Sequence, residues 1–257
     1  MEEEKGPWTA ARLLPRERGL ILLALLATSA LAWAYLYLSG ESAGRMDAVA
    51  MASSPAASGV AALLLGFLMW AAMMAGMMLP SAAPMILTFA AISRRRRERA
   101  LIFVPTAVFA AGYLLLWGAF SLFAAIVGWM LAPRIAASPL FGSLLMLAAA
   151  AYQMTPLKRV CLSRCRSPFD FLLTRWREGS AGALRMGVEH GLFCLGCCSF
   201  LMALLFAAGA MNLLWAAAIA AFVFVEKLLP QRLWTARAGG ALLFAFALYL
   251  LSEALFA

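Results

Sequence analysis

The stretch Val60-Ala61-Ala62-Leu63-Leu64-Leu65-Gly66-Phe67-Leu68-Met69-Trp70-Ala71-Ala72-Met73-Met74-Ala75-Gly76-Met77-Met78-Leu79 carries no charged side chain. As a helix rising about 1.5 Å per residue, such a run is about 30 Å long, the thickness of a bilayer's hydrocarbon core. Similar apolar runs lie at about 19–38, 60–91, 101–130, 140–156, 183–208, 211–229 and 238–256. The expected fold class is therefore all-α, a polytopic transmembrane helical bundle of about seven spans. The count falls to six if the short 140–156 run is not one of them. A single membrane domain would cover 19–257, behind an amino-terminal segment 1–18. Composition agrees: 65% of the 257 residues are hydrophobic and 13% charged, with a mean hydropathy of +0.89. Soluble domains carry about 45–50% apolar residues, so a soluble enzyme, a secreted disulfide scaffold and a DNA-binding domain are excluded.

The net charge of +9 does not imply nucleic acid. Lys5, Arg12, Arg16, Arg18, then Arg94 to Arg97 and Arg99, then Lys158, Arg159, Arg164, Arg166, Arg175, Arg177 and Arg185, then Lys227, Arg232 and Arg237 fall on alternate loops; only Arg45 and Arg134 fall on the others. That alternation predicts a cytoplasmic amino end and an external carboxyl end. The first apolar run exceeds the ~7–15 residues of a signal-peptide core and reads as an uncleaved anchor. The 39–59 segment, rich in Ser, Ala and Gly, reads as a flexible connector.

The chemistry concentrates in the fifth run, Gly187-Val188-Glu189-His190-Gly191-Leu192-Phe193-Cys194-Leu195-Gly196-Cys197-Cys198. It holds the chain's single histidine and three of its five cysteines. Ionisable groups at membrane depth are costly and point to function. At about 100° per residue, Met186, His190, Cys194 and Cys197 share one stripe, Cys198 flanks it, and Glu189 faces another way. Gly187 and Gly191 form a G-x-x-x-G pair that lets a neighbouring helix approach closely.

The second run adds thioethers in two stripes, Met69-Met73-Met77 and Met74-Met78-Ser81-Met85, and the helical pattern does not choose which of them faces the cysteines. Depth counting places His190, Cys194, Met74, Met78 and Glu226 in the cytoplasmic half of the bilayer. Thiolate, thioether and imidazole favour Cu(I), with Zn(II) second; calcium and magnesium want oxygen. The candidate ligands are His190, Cys194, Cys197, Cys198, Met73, Met74, Met77 and Met78, with Cys161 and Cys165 at the cytoplasmic mouth. If helical, the last two share a face, and the cations around them favour their thiolate form. Glu226 and Lys227 face about 100° apart, and a Glu189–Lys227 ion pair is the economical arrangement for buried charges.

These motifs, together with Tyr152-Gln153-Met154-Thr155-Pro156-Leu157-Lys158, Cys165-Arg166-Ser167-Pro168, Gly209-x-Met211-Asn212 and Glu226-Lys227, resemble a bacterial family of predicted metal-binding integral membrane proteins, a domain-of-unknown-function family. The resemblance covers roughly 60–257, and its His-Gly-x-x-Cys-x-Gly-Cys-Cys core is specific; Ser199 stands where an aromatic is expected. It implies a multi-pass protein of the bacterial inner membrane with His190, Cys194, Cys197, Cys198 and the loop cysteines as ligands. The function expected is handling of Cu(I), with the lipid bilayer and a copper donor or acceptor protein as partners, no nucleic acid and no enzymatic reaction. A transmembrane thiol–disulfide relay and a structural subunit are the alternatives.

Overall fold

The computed structural model describes residues 14–45, 59–98, 105–135, 139–208, 212–228 and 233–256. The leader up to residue 13, residues 46–58 of the expected connector, Arg99, Met211 and Arg232 lie outside the described residues. Among the described residues the secondary structure is helical, in the order α1 Pro15–Arg45, α2 Val60–Glu98, α3 Thr106–Ile135, α4 Pro139–Met154, α5 Pro156–Arg166, α6 Pro168–Arg175, α7 Gly179–Ala208, α8 Leu213–Leu228 and α9 Leu233–Phe256. The all-α bundle expected from the apolar runs is thus the observed fold, with the 39–45 part of the connector drawn into α1.

Four stretches are long and apolar enough to cross a membrane: Pro15–Ser39, Val60–Arg97, Thr106–Met130 and Gly179–Phe206. The pair Leu140–Met154 and Pro156–Arg166, bent by 66°, makes a fifth if taken together. The expected fourth and sixth runs form α4 and α8, of 16 residues each, about 24 Å at 1.5 Å per residue, and the last run gives a shorter apolar helix over Ala238–Ser252, so the described residues hold four or five spanning stretches where seven or six were expected. Outward-facing Leu20, Leu23, Leu64, Leu115, Phe123 and Leu242 are well exposed, as lipid-facing side chains are.

The α4–α5 bend has a local cause. Pro156 disfavours helical backbone at Thr155 and has no N–H to continue the ladder. Thr155 then caps α5, its hydroxyl accepting from the Lys158 backbone N–H at 3.3 Å. Ser167-Pro168 repeats the break before α6. The 158–175 segment, read from its charges as a loop, therefore folds back: α5 lies against α7 and buries Lys158 and Leu162.

Helices α3 and α7 form the central pair, with α2 on α3, α1 outside α2, α4 on α7 and α9 outside α4. Two glycines set the central crossing. A Cβ on Gly187 would stand 2.1 Å from the Phe109 carbonyl oxygen, and one on Gly112 would stand 2.1 Å from that of Leu184. Gly191 faces Leu116 on the same helix, so the G-x-x-x-G pair does bring α3 close. Pro80 inside α2 deprives the Gly76 carbonyl of its helical donor. Ser29 of α1 replaces that donor, its hydroxyl bonding the Gly76 oxygen at 2.7 Å in the interior. Gly76 is also where α1 comes closest, with Ala32 and Trp33 against it.

Candidate metal centre

Cys194 is fully buried on α7, and five helices converge on it. From α8, Lys227 donates to its Sγ at 3.0 Å and to Ser81 Oγ of α2 at 2.8 Å. From α3, the Tyr113 hydroxyl stands 3.2 Å from the same sulfur and 3.3 Å from the Met78 carbonyl oxygen. From α5, Cys165 brings its thiol against Cys194, as do Cys197 and Cys198 one turn further along α7. The thiols of Cys197 and Cys198 also donate to the Cys194 carbonyl, at 3.1 and 2.9 Å. Cys161, one turn from Cys165, packs on Gly196, whose Cβ would meet its sulfur at 2.7 Å. The two α5 cysteines do share a face, as their spacing implied. That face points inward to other thiols, and the cation expected at the loop cysteines is met instead at Cys194, by Lys227.

The other expected pairings differ. Glu189 does not reach Lys227; it lies at the surface among Arg185 at 3.3 Å and Arg175 and Arg177 at 3.5 Å. It faces outward because it sits about 100° from His190 on the wheel. Glu226 binds Lys158, Nζ to Oε1 at 2.8 Å, with side chains 3% and 1% exposed. The Arg166 guanidinium holds the Glu226 backbone carbonyl. Adjacent Glu226 and Lys227, about 100° apart on α8, thus serve different neighbours, one facing α5 and one facing Cys194.

His190 lies one turn from Cys194, about 6 Å along the axis, in an aromatic layer. Its ring stacks at 5.5 Å on Tyr113 and 6.2 Å on Phe109, and Phe171 meets it edge-on at 5.8 Å. Phe89 stacks between Phe109 and Trp176, and Arg96 covers Trp176. This layer separates the thiols from the arginine-rich end. The His190 Nδ1 atom is buried without a hydrogen-bond partner.

Met73, Met74, Met77 and Met78 are all buried. Ser81 marks the α2 face that meets the site. On an ideal wheel Met74 lies about 20° from Ser81, Met77 about 40°, Met78 about 60° and Met73 about 80°, toward the Gly76 side held by α1. Methionines of both stripes thus fall within about 80° of Ser81, with Met74 and Met77 nearest to it.

Among the described residues no group of three or more His, Cys, Asp or Glu side chains is arranged to hold a metal ion. The cluster is a reserve of soft donors around one sulfur, not a finished cage. The model for the PpoB2 family, described as a copper chaperone, matches residues 67–250. The chain belongs to this copper chaperone family. The match runs from the α2 methionines past Lys227 and so takes in every candidate ligand. No curated protein and no solved structure matches the chain. The motif resemblance implied a metal-binding family without fixing the metal; the matching family is one of copper handling and gives no support to zinc. The donors suit a copper chaperone: four thiols, nearby thioethers and an unpartnered imidazole are soft or borderline ligands for Cu(I). Both nearby carboxylates are engaged elsewhere, Glu226 by Lys158 and Glu189 by arginines.

Sequence reasoning passed over Tyr113, Ser81 and Lys158 as partners. Tyr113 gave no signal beyond a hydroxyl inside an apolar run. Lys158, directly after Thr155-Pro156, carried the one available hint, since a capped helix start there turns its third residue inward.

Proposed function

We propose that this chain is an integral membrane copper chaperone that takes Cu(I) on Cys194. Cys165, Cys197 and Cys198 complete the thiol set, with one or more of the α2 thioethers of Met73, Met74, Met77 and Met78 as further donors. The observation that carries this reading is the fully buried Cys194 sulfur with three further thiols against it, in a chain of a copper chaperone family. Cu(I) accepts two or three soft ligands, so small side-chain turns on α5 and α7 suffice to close a shell. Cys161 and Cys165 on α5 offer the exchange step, receiving or delivering the ion one thiol at a time, and His190 borders the path to the arginine-rich end. The cargo is bound and passed on unchanged, so no catalytic residue is assigned. The clustering of basic residues at one end supports an orientation with that end in the cytoplasm, in a bacterial inner membrane.

The test is metal content by mass spectrometry on anaerobically purified protein loaded with Cu(I). Near-stoichiometric copper in the wild type, lost in Cys194→Ser and reduced in Cys165→Ser, is the expected result. A wild type without copper, whose thiols titrate as a reversible disulfide, would overturn the reading in favour of a redox relay.

A further inference from the structure

We infer that Lys227 is a tethered cation that holds the cargo's place on Cys194, so that its ammonium and Cu(I) exclude one another at that sulfur. The inference rests on the copper reading and adds to it a residue that sets how tightly the ion is kept. The Lys227 Nζ approaches the Cys194 sulfur to 3.0 Å, in contact with the atom that would donate to copper. Its second acceptor is Ser81 Oγ at 2.8 Å, a neutral group across the helix interface. Among the described residues no carboxylate is bonded to it, and the adjacent Glu226 is taken by Lys158. A partly buried cation held by a sulfur and a hydroxyl has one strong partner, and that partner is the site itself.

Two positive charges on one buried sulfur repel with little screening. When copper arrives, the Cu–S bond forms to the Cys194 thiolate and the Lys227 N–H···S hydrogen bond breaks; any proton on that sulfur leaves to water as the Cu–S bond forms. The ammonium keeps its protons and swings toward Ser81, and nothing is oxidised or reduced. When copper leaves, the side chain returns and covers the sulfur. The long, flexible lysine stem permits this while Glu226 keeps the α8 backbone fixed against α5. A competitor of this kind lowers the affinity of the resting site and so eases release to the exchanging thiols.

The experiment measures Cu(I) retention against a chromogenic Cu(I) chelator, with copper alone as the probe. Lys227→Leu, which adds no copper donor, is expected to hold copper about tenfold more tightly, the scale of a hydrogen bond to a charged group. Ser81→Asp, which keeps the lysine but draws it away from the sulfur, moves affinity in the same direction and serves where Lys227→Leu does not accumulate. Ser81→Ala, which leaves Cys194 as the ammonium's main partner, weakens retention about threefold. A merely structural contact would weaken retention in all three. Unchanged or weaker binding in Lys227→Leu and Ser81→Asp overturns the inference while leaving the chaperone reading intact. Absence of copper from the wild type overturns the chaperone reading, and the inference with it.

Discussion

The Lys158–Glu226 pair offers the sharpest test of the architecture around the site. Both side chains are almost wholly buried, at 1% and 3% exposure, and Nζ lies 2.8 Å from Oε1. Removing one partner from such a pair strands the other charge in an apolar interior, at a cost of about 3–5 kcal/mol. The two single variants should differ. Lys158→Met leaves a carboxylate near the Arg166 guanidinium, which holds the Glu226 backbone carbonyl and tempers the loss. Glu226→Gln leaves the Lys158 ammonium beside Arg166 with no anion, so it should be the more harmful. The double variant Lys158→Met/Glu226→Leu removes both charges and replaces them with apolar groups of similar volume, which is often near neutral.

The assay is equilibrium unfolding in mixed detergent micelles followed by tryptophan fluorescence. The expected order is wild type and double variant close together, Lys158→Met well below, and Glu226→Gln lowest. Glu189→Gln supplies the contrast, because that carboxylate sits among arginines 42–64% exposed; it should cost under about 1 kcal/mol. Single variants as mild as Glu189→Gln, or a double variant as damaged as the sum of the singles, would refute the buried-pair reasoning.

Two further outcomes follow from backbone geometry. Gly187→Ala places a Cβ where the Phe109 carbonyl oxygen stands 2.1 Å away, so α3 must move by more than 1 Å; copper stoichiometry should fall along with thermal stability, whereas Gly118→Ala, with open space around it, should change neither. Ser29→Ala leaves the Gly76 carbonyl opposite Pro80 without a donor, costing about 1 kcal/mol in micelle unfolding, since such bonds are worth less in membranes than their burial suggests.

The bundle and the shared stripe of Cys194 and Cys197 were legible in the sequence because each rests on a residue's own helix; that α5 folds back and brings Cys165 against them depends on which helices meet, and was not. Apolar runs of spanning length mark helices whatever surrounds them, and the stripe from Met186 to Cys197 follows from helical angle alone. The GxxxG contact was legible because Gly187 and Gly191 report close approach without naming the partner, which proved to be α3. Charge pairing was not, because it depends on which helices meet. Glu189 and Lys227 made an economical pair on paper, yet α5 folds back under Thr155-Pro156 and brings Lys158 to Glu226 instead. Lys227 is then left to Cys194.

Why α8 carries two opposite charges side by side follows from what would hold such apolar helices together in a bilayer. Apolar contact offers little preference between neighbours there, because lipid tails are as apolar as leucine. Polar groups therefore decide which helices dock and in what register. Glu226 and Lys227, about 100° apart on the wheel, let one short helix dock twice, on α5 through an ion pair and on α2 and α7 through Ser81 and Cys194. The first contact is charge against charge and has no exchangeable role. The second sets a cation against a soft sulfur, a partner that copper can also claim. Placing them on adjacent residues means the backbone that anchors one positions the other. Weakening Lys158–Glu226 should therefore loosen the reach of Lys227 and alter copper retention before the fold is lost.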